Sequence, residues 1–151
     1  MKRVLISACL LGENVRYDAK NCKKRSEIIE KWQKEDRVIS LCPEVAGGLS
    51  VPRLPAEIQA NGRITNIERE DVTEAFKQGA RRALKLCCEH DITIAILKEG
   101  SPSCGTSRIN DGAFSGNKIA GAGITTRLLR DNGIQVFGEH ELEQAAALLG
   151  D

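Results

Sequence analysis

Four short runs along the chain are mainly apolar, and their apolar residues follow one another instead of alternating with polar ones. The runs lie at residues 4–7, 38–41, 92–97 and 134–137. Continuous runs of this length are typical of strands that are covered on both faces of a sheet. The pattern therefore predicts four buried strands.

Segments with helical periodicity lie between and after these runs. Helices are predicted over about residues 26–35, from a start at residues 71–74, over about 124–130 and over 140–149. The second start places Asp71 and Glu74 in a capping box, and an apolar stripe that runs to Cys87 follows it. Because strands and helices alternate, the chain is predicted to be an α/β protein, a single three-layer domain over residues 1–151 with a mainly parallel sheet flanked by helices.

Two stretches interrupt this alternation. Residues 56–67 hold Asn61-Gly62 between two short alternating segments, which predicts a small hairpin insertion at the sheet edge. Residues 98–123 show no regular pattern and contain six of the fourteen glycines. A loop of this length inside a compact domain is usually functional.

The charge balance narrows the classes of partner. The chain has 22 Lys and Arg against 21 Asp and Glu, a net charge of +1, and only one Trp, one Tyr and three Phe. It therefore lacks the basic surface and the stacking platform that bind nucleic acid polymers or membranes. No apolar run approaches the roughly 18 residues of a membrane span. We expect a cytoplasmic protein, a monomer or homodimer, that acts on a small molecule.

The six cysteines are unusual in such a composition. Without a secretory signal they are expected to be reduced, so metal binding, catalysis or packing must explain them. Parallel sheets form their sites at the carboxyl ends of the strands. Cys9 lies two residues beyond the first predicted strand, Cys42 immediately follows the second, and Cys104 lies in the glycine-rich loop after the third. These three thiols are expected to meet.

The other three cysteines do not share this position. Cys87 lies on the apolar stripe of its helix, and it and Cys88 are interpreted as packing or neutral residues. Cys22 lies among lysines and is either a reactive thiol or a plain one, which the sequence leaves open. The two histidines, His90 and His140, lie at predicted helix ends and are interpreted as structural.

Three thiols without a CxxC pair favour an iron–sulfur cluster. A structural zinc site usually takes four ligands, and a dithiol redox centre prefers a close pair of cysteines. An iron–sulfur cluster tolerates ligands that are scattered along the chain, and it normally has four of them. Three thiolates would leave one iron open, which is where a substrate could bind.

Polar residues near these cysteines are candidates for catalysis and substrate binding. Glu44, two residues after Cys42, is a candidate general acid or base. Ser101 and Ser103 precede Cys104, where the alternative is an ordinary tight turn with local serine hydrogen bonds. The remaining candidates for lining a substrate pocket are Arg16, Asp18 and Arg53. The alternative is that these residues form surface ion pairs, which contribute little to stability. Residues 121–123, Gly-Ala-Gly, fit either an anion nest or a plain helix entry.

Several motifs together resemble the thiouracil desulfidase family. They are Ser7-Ala8-Cys9-Leu10-Leu11-Gly12 with Arg16-Tyr17-Asp18, then Cys42-Pro43-Glu44 with Gly47-Gly48-Leu49 and Pro52-Arg53, and finally Gly100-Ser101-Pro102-Ser103-Cys104-Gly105. The resemblance runs nearly end to end. It implies a small α/β protein that holds an oxygen-sensitive [4Fe-4S] cluster by three cysteines and removes sulfur from thiolated nucleobases such as 2-thiouracil.

Carried over by position, the resemblance implies that Cys9, Cys42 and Cys104 bind the cluster. The acidic catalytic residue of the family falls on Glu44 and its serine on Ser101. One departure is Ala19, where the family often has glycine after Arg-Tyr-Asp. In the resulting hypothesis the thiocarbonyl sulfur binds the open iron and leaves as sulfide, Glu44 delivers water or moves a proton, and Ser101 orients the substrate.

Two alternatives of different classes remain at this point. One is a non-catalytic module whose cysteines bind zinc or a cluster for structure or sensing. The other is a nucleotide-binding α/β domain whose glycine-rich loop cradles phosphate, although no complete Walker or dinucleotide fingerprint is present.

Overall fold

The computed structural model describes residues 1–151, and a four-stranded parallel sheet lies at its centre. The strands in chain order are β1 (Val4–Ser7), β2 (Val38–Leu41), β3 (Ala56–Ile58), β4 (Ile64–Asn66), β5 (Ile94–Leu97), β6 (Arg108–Asn110), β7 (Lys118–Ala120) and β8 (Gln135–Gly138). The central sheet has the order β2-β1-β5-β8. In β1, Ile6 pairs with Ser40 on one side and with Ile96 on the other.

Helices cover both faces of this sheet. They are α1 (Glu27–Lys34), α2 (Pro43–Ala46), α3 (Thr73–Glu89), α4 (Ile124–Asp131) and α5 (Leu142–Leu149). On one face Ile6 and its neighbours pack against Trp32 of α1 and Ala145 of α5. On the other face Leu5 packs in a cluster with Ala83 of α3 and Leu129 of α4. The predicted three-layer α/β fold is confirmed. No helix is both long and apolar enough to cross a membrane.

Several predicted details are wrong. Strand β2 lies at an edge and is only half-buried, so it is not covered on both faces. The predicted hairpin is confirmed as β3 and β4, but it forms its own two-stranded sheet away from the edge of the central one. Strands β6 and β7 form a second hairpin inside the segment predicted to be irregular. Strands of three residues are too short to show a clear hydrophobic period.

The predicted helix starts are partly correct. Ser26 caps α1 through hydrogen bonds that its hydroxyl accepts from the N–H groups of Ile28 and Ile29. Asp71 accepts a hydrogen bond from Thr73 N–H at 2.9 Å, but Glu74 stays exposed, so the capping box is only half formed. Helix α5 begins at Leu142, two residues after the predicted start.

Two glycines, Gly47 and Gly79, allow the short helix α2 to lie directly against α3. A Cβ atom on Gly47 would lie 2.0 Å from the carbonyl oxygen of Ala75, and one on Gly79 would lie 1.9 Å from that of Pro43. The backbones of α2 and α3 therefore touch, which only glycine permits at these positions. Because four residues do not make a stable helix alone, this packing on α3 holds α2 in place directly after β2.

Candidate active site

A cavity of about 510 Å³ lies at the carboxyl ends of β1, β2 and β5. The three thiols expected at this end of the sheet, those of Cys9, Cys42 and Cys104, all line it. Both hairpins contribute to its wall as well, through Ala56, Glu57, Asn110, Phe114, Gly116 and Lys118. The cavity is thus enclosed by strand-end loops and by the two small antiparallel sheets.

Each of the three cysteines is positioned by a different local structure. Cys9 lies in a 3-10 turn that continues directly from β1. Cys42 is the residue before α2, and its Sγ lies 3.9 Å from the carbonyl oxygen of Val15. Cys104 is buried, and the hydroxyl of Ser7 donates to its Sγ at 3.6 Å.

Burial makes these thiols hard to ionise without a nearby positive charge. It raises the pKa of Cys9 to about 12, helped by the neighbouring Cys22 and Cys42. Burial also raises the pKa of Cys42 and of Cys104. A bound cation reverses this effect, because metal binding stabilises the thiolate form. Three soft sulfur ligands that need such compensation fit an iron–sulfur cluster.

The thiols do not converge on a point. No group of three or more His, Cys, Asp or Glu side chains is placed to hold a single metal ion. A four-iron cluster takes each thiolate on a different iron, so its ligands surround a larger volume than those of one ion. The shared cavity and the separate positions of the thiols are compatible with that larger group.

Ser101 offers a hydroxyl proton to the cavity that it lines. Its Oγ accepts hydrogen bonds from the N–H groups of Ser103 at 3.0 Å and Cys104 at 2.7 Å. A hydroxyl has two lone pairs and one proton, so these bonds leave the proton to be donated. Ser101 is therefore placed as a hydrogen-bond donor beside a candidate ligand.

Ser103 does not reach the cavity. It is fully buried, and its Oγ lies 2.7 Å from the hydroxyl oxygen of Thr125 in α4. Its carbonyl oxygen accepts a hydrogen bond from Thr125 N–H at 2.9 Å, and that of Pro102 accepts one from Ile124 N–H at 2.9 Å. The structure thus does not bring Ser103 to the substrate position expected for it, because the side chain instead ties the Cys104 loop to α4.

The packing of the Cys104 loop on α4 also explains the Gly-Ala-Gly sequence at residues 121–123. A Cβ atom on Gly123 would lie 2.3 Å from the carbonyl oxygen of Ser103, so glycine is needed for close approach. The N–H groups at the start of α4 are occupied by the loop carbonyls described above. These residues form a helix entry and not an anion nest.

Glu99 organises the loop between β5 and β6, a role that sequence reasoning missed. Its carboxylate accepts hydrogen bonds from the N–H groups of Thr106, Ser107 and Arg108 at 2.8, 3.0 and 2.9 Å. The hydroxyls of Thr106 and Ser107 donate to it as well. Although burial raises the pKa of Glu99, these hydrogen bonds outweigh it and lower the pKa to about 2. An acidic residue before a loop rich in Ser, Thr and Gly is the signal that could have found it.

We expect acid to loosen this loop. Because the pKa of Glu99 is lower in the folded protein than its ordinary value of 4.5, its stabilising effect is present above that value and is lost as the pH falls towards 2. Amide hydrogen exchange at Thr106, Ser107 and Arg108, corrected for the intrinsic pH dependence, should accelerate in that window. The Glu99→Gln variant should exchange rapidly already at neutral pH and show no acid step. An equal acid step in the variant would contradict this role.

Glu44 lies in the cavity wall as an ion pair with Arg53. Its Oε1 accepts a hydrogen bond from Arg53 Nε at 3.2 Å, and the other two nitrogens of Arg53 donate to the carbonyl oxygens of Ser50 and Val15. Burial raises the pKa of Glu44 more than the guanidinium of Arg53 lowers it. A carboxyl group with a raised pKa is suited to give and take a proton.

Arg16 lines the cavity, but Asp18 does not. Asp18 pairs with Arg16 at 3.4 Å and accepts a hydrogen bond from Lys20 N–H, so the structure does not bring it to the substrate position expected for it. Arg16 also donates to Cys22 Sγ at 2.9 Å. The N–H of Cys22 in turn donates to the carbonyl oxygen of Cys9 at 2.9 Å, so Cys22 lies next to Cys9, although it does not line the cavity.

The remaining predicted structural residues lie away from the cavity. Cys87 is buried in the core against the central sheet, and Cys88 is exposed. His90 follows the last residue of α3, with its Nδ1 2.7 Å from an Arg3 nitrogen. His140 is exposed just before α5. None of these four side chains contributes to the cavity wall.

Comparisons with known proteins identify the family of the chain. The family model described as 2-thiouracil desulfurase matches residues 4–141. A Bacillus subtilis (strain 168) protein, described as uncharacterized protein YbbK, is 40% identical over 148 residues, covering 92% of this chain and 97% of that protein. A solved structure described as the [4Fe-4S]-dependent thiouracil desulfidase TudS is 47% identical, with a TM-score of 0.97 over 99% of each chain. The span matched by the family model contains every residue of the cavity wall.

Proposed function

The chain belongs to the 2-thiouracil desulfurase family and is a [4Fe-4S]-dependent desulfidase acting on thiouracil, and from this premise we propose that Cys9, Cys42 and Cys104 hold its cluster. The observation that carries the proposal is that these three thiols come from three separate strand-end loops and line one cavity. Their burial, which disfavours free thiolates, supports a bound cationic group at the same place.

The reaction exchanges a C=S group for a C=O group without net transfer of electrons. Water supplies the oxygen and two protons, and the sulfur leaves as sulfide. When bound by three cysteines, the cluster would supply an iron free of protein ligands as a Lewis acid for the sulfur. The protein must therefore orient the ring, hold a water near its thiocarbonyl carbon and move protons.

We propose that Ser101 helps to orient the ring and that Glu44 holds the water and moves protons. Glu44 Oε2 is the carboxylate oxygen that Arg53 does not engage, and it would accept a proton from the attacking water. Ser101 donates its free hydroxyl proton to the substrate. Because all three guanidinium nitrogens of Arg53 are directed at Glu44, Ser50 and Val15, we propose that Arg53 positions Glu44 and does not bind substrate. Arg16 remains a candidate substrate contact at the cavity wall.

We further propose that residues 1–151 form one functional domain. The central sheet takes strands from both ends of the chain, since β1 begins at Val4 and β8 ends at Gly138. The cavity wall draws on residues from Ser7 to Lys118. Neither the sheet nor the cavity would be complete in a shorter part of the chain.

Anaerobic purification tests this function. The brown protein should contain about four iron and four sulfide per chain and should convert 2-thiouracil to uracil with release of one sulfide. Sulfide is measured colorimetrically and uracil by chromatography. The matched control is the same preparation after oxidative removal of iron, which should release no sulfide. Iron without sulfide release would instead indicate a non-catalytic cluster protein, and full activity without iron would refute the role of the cluster.

A further inference from the structure

A second buried carboxylate, that of Glu57, lines the same cavity and takes no part in the steps above. Glu57 is the central residue of β3 and pairs with Thr65 of β4. Only 6% of the residue is exposed. None of the ion pairs of the structure involves it. A buried carboxylate without a cation needs hydrogen-bond donors.

Only one of its two oxygens has donors within the protein. Oε1 accepts hydrogen bonds from the N–H groups of Gly112 at 3.0 Å and Phe114 at 3.2 Å. Oε2 accepts none from the protein. It is not sealed in the core either, because no fully buried side-chain nitrogen or oxygen lacks a partner. Since Glu57 forms part of the cavity wall, its free oxygen is open to the cavity.

The chemistry of the free oxygen restricts what can lie against it. An ionised carboxylate only accepts hydrogen bonds, so it attracts N–H groups and repels carbonyl and thiocarbonyl groups. In 2-thiouracil, ring N–H groups flank the thiocarbonyl carbon on both sides. Phe114, whose N–H donates to the same carboxylate, lines the cavity too and adds an apolar surface for a flat ring.

We propose that Glu57 Oε2 accepts a hydrogen bond from a ring N–H next to the thiocarbonyl carbon, so that Glu57 selects thiolated rings carrying such an N–H. This inference rests on the proposed desulfidase function and adds a specificity-determining residue to it. A site built to bond an N–H rejects analogues that lack it, because its own buried group is then left without a partner. N-alkylated thiolated rings are accordingly poor substrates.

The Glu57→Gln variant tests the proposal with little change in shape. The glutamine oxygen can still accept from Gly112 and Phe114, while the amide NH₂ replaces the free acceptor by a donor. In the cluster-loaded protein, KM for 2-thiouracil should rise about 10- to 100-fold, the loss expected for a hydrogen bond to a charged group. The kcat should change far less, and the iron content should be unchanged.

Equilibrium binding gives a readout that does not depend on turnover. Uracil carries the same ring N–H groups and no sulfur, and its dissociation constant should rise by the same factor in Glu57→Gln. The wild type should discriminate against 1,3-dimethyl-2-thiouracil, which has no ring N–H, and the variant should largely lose that discrimination. Wild-type uracil affinity in the variant, or undiminished discrimination, would overturn the proposal.

Gln59→Ala is the matched control for effects on the loop. Gln59 Nε2 donates to the carbonyl oxygen of Gly112 at 3.1 Å, so it holds the same loop, but its side chain is not part of the cavity wall. The affinity of the Gln59→Ala variant for uracil should stay within about twofold of that of the wild type. A loss equal to that of Glu57→Gln would show that Glu57 acts only through the loop. Failure of the desulfidase function is distinguishable, since iron-loaded wild type would then bind uracil without releasing sulfide from 2-thiouracil.

Discussion

Replacing any one of Cys9, Cys42 and Cys104 by serine is expected to abolish both the iron content and the desulfidase activity. Two thiolates and a hard, poorly ionised hydroxyl bind an iron–sulfur cluster much less well than three thiolates. The three ligands come from separate loops, so none of them can replace another, and Cys22, which lies in the same β1–α1 connection as Cys9, does not line the cavity. Iron analysis and the visible absorption of anaerobic preparations measure the loss.

The other three cysteines provide matched controls. Cys88 is exposed, so Cys88→Ser changes only the surface, and Cys87→Ala leaves only a small gap in the core. Cys22 does not line the cavity, and its control variant is Cys22→Ser. Each variant should keep its iron and its activity, because none of these thiols lines the cavity. Full iron content in Cys9→Ser, Cys42→Ser or Cys104→Ser would refute the proposed ligand set, as would loss of iron in Cys22→Ser.

The second large effect is expected for Glu44→Gln, which should keep its cluster and lose turnover. The glutamine oxygen can still accept the hydrogen bond from Arg53 Nε, so the local fold is retained. The amide cannot take a proton from water, and removing such a group typically costs about 10²- to 10⁴-fold in rate. The measurement is kcat for sulfide release, normalised to iron.

An exposed carboxylate gives the control for Glu44. The side chain of Glu74 is 74% exposed at the start of α3, and Glu74→Gln should turn over 2-thiouracil at the wild-type rate. Iron-loaded Glu44→Gln with wild-type kcat would remove Glu44 from the mechanism. A variant that instead loses iron would show that Glu44 supports the cluster and not the proton transfer.

The positions of the three thiols could be predicted because they depend on one simple rule. Apolar runs locate the strands, and parallel strands bring the residues after their carboxyl ends together. Cys9, Cys42 and Cys104 therefore line one cavity although 33 and 62 positions separate them along the chain. The same reasoning placed Glu44 correctly beside the cavity, since it follows Cys42 by only two residues.

Side-chain directions within loops could not be predicted in this way. Ser101 and Ser103 are two residues apart in one motif, yet Ser101 faces the cavity and Ser103 faces Thr125 of α4. That difference depends on a contact with a helix 22 residues further along the chain. Asp18 was likewise expected at the substrate, but it pairs with Arg16 and does not line the cavity.

The roles of Glu57 and Glu99 also depend on contacts that exist only in the folded chain. The donors to Glu57 are backbone N–H groups, which are present at every residue except proline and carry no sequence signal, whereas Glu99 also receives hydrogen bonds from the hydroxyls of Thr106 and Ser107. The donors to Glu57 are Gly112 and Phe114, which lie 55 and 57 positions further along the chain in the β6–β7 hairpin, and the sequence did not predict that hairpin. Only the folded arrangement shows that each carboxylate holds a loop of the cavity wall.

The two hairpins give the enzyme an architecture in which reactivity and substrate range can evolve separately. The proposed cluster ligands belong to the central sheet and its adjoining loops, whereas Glu57, Asn110, Phe114 and Lys118 belong to small antiparallel sheets that share no strand with it. Substitutions in the hairpins can alter which thiolated compound is admitted while the metal chemistry is inherited intact. Libraries confined to residues 56–66 and 108–120 are therefore the place to search for desulfidases with new substrates.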